Sequence, residues 1–162
     1  MKKRATSRIY ISYGSNMDLD QMAYRCPGAE VLGKSVLEGW RLAFMGRAGN
    51  AHATILPEQG ASTPVVVWAI TPEHEAALDR YEGVSGGYYR RHFLPVKVEG
   101  KTHRDALVYL MNPQPYNLPT PRYLLGIQEG YRAADIHPDP LYTALHDAAE
   151  RQGQWRDGKE VG

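Results

Sequence analysis

The sequence predicts an α+β domain: a curved mixed sheet forming a small partial barrel, with helices at its periphery. Three observations predict it. Strand-length runs of apolar and β-rich residues follow one another mostly across turns, without the regular intervening helices of a parallel α/β sheet. Helices with clear start and stop residues are interspersed irregularly among them. A length of 162 residues, with 43% hydrophobic and 23% charged side chains, suits one sizeable core, and no internal repeat is visible.

Arg8 to Tyr13 is β-rich and leads into the loop "YGSNM", Tyr13–Met17. Asp18 can N-cap the next segment, with Gln21 in the capping-box position, and Cys26-Pro27-Gly28 stops that helix early. Ala29 to Leu37 and Trp40 to Met45 read as two strands separated by Glu38-Gly39, followed by a polar loop over Gly46–His52 and a short strand over Ala53–Leu56. The continuous apolar run Val65–Ile70 is of strand length and reads as a buried central strand. Thr71-Pro72 then announces a helix, threonine as N-cap and proline at the first helical position, which Gly83 ends as a left-handed C′ residue. Tyr88–Val98 and Arg104–Met111 flank a turn at Glu99-Gly100-Lys101 and read as an antiparallel hairpin. Asn112–Pro121 is a stiff, proline-rich loop, and helices over Arg122–Ala134 and Leu141–Gln152 close the chain. The expected organisation is a flexible N-terminus over 1–7, one domain over 8–153 and a tail over 154–162.

Charge and composition exclude several classes of function. The formal charge is +1, from 19 basic and 18 acidic residues, and no basic stripe suggests nucleic acid as a partner. Lys2, Lys3, Arg4 and Arg8 are followed by no apolar signal-peptide core, and no run is long and apolar enough to span a membrane. One cysteine, Cys26, cannot form an internal disulfide framework, so a cytoplasmic setting is expected. The six histidines are scattered without metal-ligand spacing, and neither a P-loop nor G-x-G-x-x-G is present, so neither metal nor cofactor is expected. Ser15 does not sit in G-x-S-x-G, and Cys26 reads as a packed small hydrophobe, not a catalytic thiol.

Two features point to a site. The Tyr13–Met17 loop between a strand and a helix start could hold phosphate, carboxylate or an oxyanion, or be only a turn. Glu82 lies in "LDRYEGV", at the last turn of a helix, where a carboxylate faces the negative end of the helix dipole. Partial burial there would raise its pKa and make it a proton acceptor near neutral pH; the plainer alternative is a solvated helix-end glutamate. Eleven tyrosines stand against two phenylalanines. Those at strand ends, such as Tyr13, Tyr88, Tyr89, Tyr109 and Tyr123, suit a small polar pocket wall or half-buried packing.

Taken in order, "YGSNM", "RCPGAEVLGKSVLEGWRLAF", "LDRYEGVSGGYY", "ALVYLM" and "PTPRYL" resemble the γ-glutamylcyclotransferase family in its bacterial form, over roughly Ile9–Tyr131. The resemblance implies a cofactor-free enzyme that releases 5-oxoproline and a free amine from a γ-glutamyl-amine or γ-glutamyl-amino acid. The substrate's own α-amino group is the nucleophile. The family's catalytic glutamate falls on Glu82, as general base and then acid. Its glutamyl-binding loop falls on Tyr13, Gly14, Ser15, Asn16 and Met17, and its pocket tyrosines on Tyr89, Tyr109 and Tyr123. The partner implied is a small γ-glutamyl molecule, not nucleic acid or membrane, with a homodimer left open.

Two features of this chain bear on the leaving amine. Gly86-Gly87-Tyr88-Tyr89 has two glycines where other members often carry one non-glycine residue, and Arg90-Arg91 follows on the next strand. An inward arginine would favour an acidic leaving group; the plainer alternative is that both face solvent or that only one alternates inward. Gly46–His52 and Asn112–Pro121 are expected to set the pocket's width. The rival functions are removal of a γ-glutamyl group from a larger protected biosynthetic amine, and a binding or regulatory module without chemistry.

Overall fold

The computed structural model describes residues 7–155. Five strands, β1 (Arg8–Ser12), β2 (Glu30–Arg47), β3 (Asn50–Ile70), β4 (Tyr89–Val98) and β5 (Lys101–Met111), form one sheet in the order β2-β3-β1-β5-β4. Every neighbouring pair is antiparallel except β1 with β5, so the sheet is mixed. It is open, but it curls until its edge strands touch. The Ser35 hydroxyl on β2 donates to the Lys97 carbonyl on β4, and Trp40 packs edge-on against His92 with ring centroids 6.1 Å apart. The α+β class and the curved mixed sheet agree with the sequence.

The long hairpin β2–β3 departs from the expected short strands. Glu38-Gly39 is not a turn between strands but lies inside β2 opposite a bulge of β3: Glu38 pairs with Ser62 and Trp40 with Pro57, so one residue of β2 faces four of β3, and Gly39 takes φ +86°. A bulge bends the strand pair and increases its twist, so a glycine that reads as a break instead marks a point of curvature. Asn50–His52 likewise belong to β3, leaving only Ala48-Gly49 as the turn. Val65–Ile70 is the buried central run expected, flanked by β2 on one side and β1 on the other.

Four helices, α1 (Leu19–Arg25), α2 (Pro72–Tyr81), α3 (Pro121–Ala133) and α4 (Asp139–Glu150), pack around the sheet. Asp18 caps α1 by accepting from the Asp20 N–H, but Gln21 completes no capping box; its side chain lies against Gly126 of α3. Thr71 caps α2, and the reciprocal partner is His74, whose Nδ1 accepts from the Thr71 N–H at 3.1 Å. Glu82 follows α2, and Gly83, at φ +65°, turns the chain away in the left-handed region. The β4–β5 connection is tighter than expected, with Lys101 already in β5 and positive φ at both Glu99 and Gly100, the backbone of a type I′ turn. Thr120 caps α3 by accepting from the Tyr123 N–H. Apart from Ser7, Gln154 and Trp155, the expected flexible N-terminus and tail lie outside the described residues; Gln154 offers its carbonyl to the Tyr116 N–H at 2.8 Å.

Candidate active site

β1 delivers the chain to the mouth of the curled sheet, where Tyr13-Gly14 leads into a short 3₁₀ turn over Ser15–Met17. This turn is held from above by α3. A Cβ placed on Gly130 would lie 2.6 Å from the Met17 Cβ and 2.9 Å from the Asp18 nitrogen, so only glycine permits this approach. α2 is clamped to the sheet by charge. Asp79 accepts from both Arg91 at 2.9 Å and the Tyr109 hydroxyl at 2.6 Å, and Glu75 pairs with Arg8 at 3.0 Å and with Arg91. The clamp fixes the end of α2, and with it Glu82.

Between these two fixtures lies a cavity of about 220 Å³, smaller than the roughly 300–1,000 Å³ of sites for drug-sized ligands. Of the residues singled out in the sequence, Tyr13, Gly14, Ser15, Asn16, Glu82, Tyr89, Tyr109 and Tyr123 all line it. Met17 does not; it is buried beneath α3 as a core side chain. Arg90 and Arg91 do not line it either. Arg90 donates to the Met111 carbonyl and Asn112, and Arg91 belongs to the α2 clamp. The loop Asn112–Pro121 contributes no lining residue, whereas His52 does.

The polar atoms divide into those already committed and those free. The Tyr13 hydroxyl donates to the Tyr109 carbonyl, Tyr89 to the Ala53 carbonyl and Tyr109 to Asp79, so three of the expected pocket tyrosines frame the cavity with hydroxyls that are engaged. Tyr123 accepts from the Ala53 N–H at 3.0 Å, and Tyr10 accepts from the Asn16 amide at 2.9 Å. Neither hydroxyl donates to a partner among the described residues. The Ser15 and Asn16 side chains, expected as ligand donors, are both engaged by Arg25. What the loop leaves free is its backbone: among the described residues no acceptor meets the N–H of Gly14, Ser15 or Asn16. Gly14 also has no spare room, since an added Cβ would sit 3.2 Å from the Ala53 Cβ and 3.3 Å from the Tyr123 hydroxyl.

Glu82 is the one carboxylate on the cavity wall. Among the described residues its side chain makes neither hydrogen bond nor ion pair, and it keeps a partial opening to its surroundings. Burial pushes its pKa up to about 7, against the opposing pull of the Arg25 guanidinium. Withdrawal from water, rather than the helix dipole, is the main cause. The surrounding hydroxyls of Tyr10, Tyr13, Tyr88, Tyr89 and Tyr123 are all held above the ordinary tyrosine range, burial first and the Glu82 charge among the further causes, so they stay neutral donors. His52, hydrogen-bonded through Nδ1 to the Tyr88 hydroxyl at 2.7 Å, is pushed down by burial and stands neutral.

Tyr88, read as a pocket-wall tyrosine, and His52, at the end of the loop expected to set the pocket's width, both line the cavity. Sequence reading missed Tyr10, Ile11, Ala53 and Tyr81 as lining residues, and it missed Arg25 altogether. Tyr10 lies on the strand that leads to Tyr13 and could have been included on that ground. Arg25 carries no local signal, because α1 brings it in from elsewhere.

A tyrosine-walled cavity lined by one carboxylate without a partner among the described residues, and by a loop with three backbone N–H groups that meet no acceptor there, is the layout of a small-molecule site. The family model described as gamma-glutamyl cyclotransferase, AIG2-like, matches residues 10–131, and the chain belongs to that family. Human gamma-glutamylcyclotransferase is 29% identical over 126 residues, which cover 72% of this chain and 66% of the human protein. The bovine gamma-glutamylcyclotransferase is 27% identical over 128 residues, with the same coverage. YkqA of Bacillus subtilis is 26% identical over 140 residues, 83% of this chain and 49% of the relative, so this chain spans about half of that protein's length. A solved structure named gamma-glutamyl cyclotransferase superposes with a TM-score of 0.74 at 25% identity, covering 96% of this chain and 94% of the other. The crystal structure of YkqA superposes with a TM-score of 0.76 at 23% identity over 90% of this chain and 55% of its own, a likeness of fold.

Proposed function

We propose that this protein is a γ-glutamylcyclotransferase that uses Glu82 as its general base and then its general acid. The observation that carries the reading is the partly enclosed Glu82 carboxylate, with a pKa of about 7 and no partner among the described residues, lining the same cavity as Gly14, Ser15 and Asn16, whose N–H groups meet no acceptor there. The glutamyl head of a γ-glutamyl-amine or γ-glutamyl-amino acid fits a chamber of this size, with its chain folded back on itself.

The reaction balances without any group supplied from outside. Glu82 takes a proton from the substrate's α-ammonium, and the freed nitrogen attacks the γ-carbonyl carbon, forming the five-membered ring. The developing oxyanion is met by hydrogen-bond donors: the cradle N–H groups and the uncommitted hydroxyls of Tyr10 and Tyr123 are the candidates. The bond to the leaving nitrogen then breaks as Glu82-H returns that proton to it; the regenerated Glu82 carboxylate takes the second proton from the ring nitrogen and passes it to the released amine, giving 5-oxoproline and the amine as its ammonium ion. Because nucleophile and electrophile belong to one molecule, the protein's main task is to hold a bent conformer, which supplies the proximity contribution to the rate.

Incubation with a panel of γ-glutamyl-amino acids and γ-glutamyl-amines, with 5-oxoproline as the readout, tests the proposal. Turnover of at least one substrate is expected, and Glu82→Gln should lower kcat by at least the roughly 10²–10⁴-fold that a general acid–base group contributes. Full activity in Glu82→Gln, or no turnover across the panel, would overturn it.

A further inference from the structure

We propose that Arg25 is a positioning residue of this site: a single guanidinium lodged between the loop cradle and the end of α2 holds the two halves in register and supplies the only countercharge near Glu82 among the described residues. Its Nη1 donates to the Ser15 Oγ at 3.1 Å and to the Asn16 Oδ1, while its Nη2 donates to the Tyr81 hydroxyl. The guanidinium also stacks on the Tyr81 ring, 3.5 Å from its centroid. Ser15 and Asn16 belong to the cradle, and Tyr81 is the residue before Glu82. One side chain therefore spans both walls of the cavity without lining it.

Arg25 is itself well anchored. It is the last residue of α1, where a cation is favoured by the helix dipole. The chain leaving α1 is tied to α2 by His74. Its Nδ1 accepts from the Thr71 N–H, so Nε2 carries the proton and donates to the Pro27 carbonyl at 2.6 Å. The planar fork suits this place better than an ammonium would, because it meets two acceptors on one side and a ring on the other.

The charge matters because no other group facing Glu82 among the described residues is ionised. The groups facing Glu82 are Tyr10 and Tyr13 from β1 and its exit, Tyr88 and Tyr89 at the start of β4, and Tyr123 from α3, all neutral. Arg25 is the one charged group that acts on it among the described residues, and it opposes the effect of burial. Removing a nearby positive charge disfavours a carboxylate, so the proton affinity of Glu82 should rise.

The KM part of the test rests on the cyclotransferase reading, while the titration part does not, since it needs no substrate. Glu82 is titrated by carboxyl ¹³C NMR in the substrate-free protein, its signal assigned by absence in Glu82→Gln, for wild type, Arg25→Gln, Arg25→Lys and Tyr81→Phe. Arg25→Gln should move the Glu82 midpoint upward, whereas Arg25→Lys, which keeps the charge, should leave it nearly unmoved. Arg25→Lys should still raise KM, on the order of tenfold, because the two-acceptor geometry is lost. Tyr81→Phe, which keeps the charge and one leg of the bridge, should raise KM less and leave the titration in place, and it serves if Arg25→Gln does not fold. An unmoved Glu82 titration in Arg25→Gln, or an equal upward shift in Tyr81→Phe, would overturn the inference.

Discussion

At Glu82 two demands meet that are usually kept apart. The residue closes a helix, a structural duty met by its backbone N–H donating to the Leu78 carbonyl at 2.8 Å, while its carboxylate meets no partner among the described residues. Isolation of this kind is costly for an ionised group and useful for a base, since a carboxyl near pH 7 can both take and return a proton. The consequence is a pH dependence with a definite sign. In the proposed mechanism the free carboxylate is the active form for the first step, so kcat/KM should fall below pH 7, approaching tenfold per pH unit, with a midpoint at about 7 in wild type. A pH–rate profile checks this; an acidic limb centred near an ordinary glutamate value would assign the base elsewhere. Glu82 and Gly14 were legible from the sequence through an ordered set of motifs. Arg25 was not, because its three hydrogen-bond partners lie up to 56 positions away in sequence.

At the scale of elements, the cradle is shaped by what presses on it. Gly126 and Gly130 lie on one face of α3, and both contact the segment that carries the loop: Gly126 meets Gln21 and Gly130 meets Met17 and Asp18. An added methyl at Gly130 meets backbone, which cannot swing aside as a side chain can. Gly130→Ala should therefore destabilise the fold by about 1–3 kcal/mol, the usual range for overpacking, and displace the cradle. Urea unfolding would measure the first effect and a raised KM the second; a helix-stabilising gain, as for alanine in an exposed helix, would mean that α3 moves away at no cost. The capping signals of α2 and α3 were read directly because caps are local chemistry: Thr71 and Thr120 each bond an N–H three residues on. The bulge opposite Gly39 was misread as a strand boundary for the same locality reason, since a glycine with positive φ looks alike in a turn and beside a bulge until a neighbouring strand is present.

For the whole molecule, a largely buried acid without a partner among the described residues weakens the fold once it ionises. The folded-state pKa of Glu82, about 7, lies above its ordinary value of 4.5. The folded protein thus binds this proton more tightly than the unfolded chain. That contribution is complete below about pH 4.5 and is lost as the pH rises through 7. Glu82→Gln, which cannot ionise, should be more stable than wild type at pH 8 by an amount on the order of 1–3 kcal/mol, and the difference should vanish toward pH 4. Paired chemical denaturation at the two pH values decides it; equal stabilities at pH 8 would show that the carboxylate is better solvated than its surroundings suggest.

What the sequence determined by itself is whatever neighbours along the chain can specify: the helix caps, the apolar central strand, the order of the site segments and the identity of the isolated acid. These rest on local hydrogen bonding, side-chain periodicity and short motifs. Only the tertiary structure decided that β2 and β3 run unbroken, that Met17 is buried beneath α3 and off the cavity wall, and that the Ser15 and Asn16 side chains face Arg25. It also decided that Arg90 and Arg91 leave the cavity alone. The physical reason is the same in each case. Burial, and the partner that meets a polar atom, are set by segments distant in sequence, and a carboxylate becomes a useful base only once the fold has withdrawn it from water.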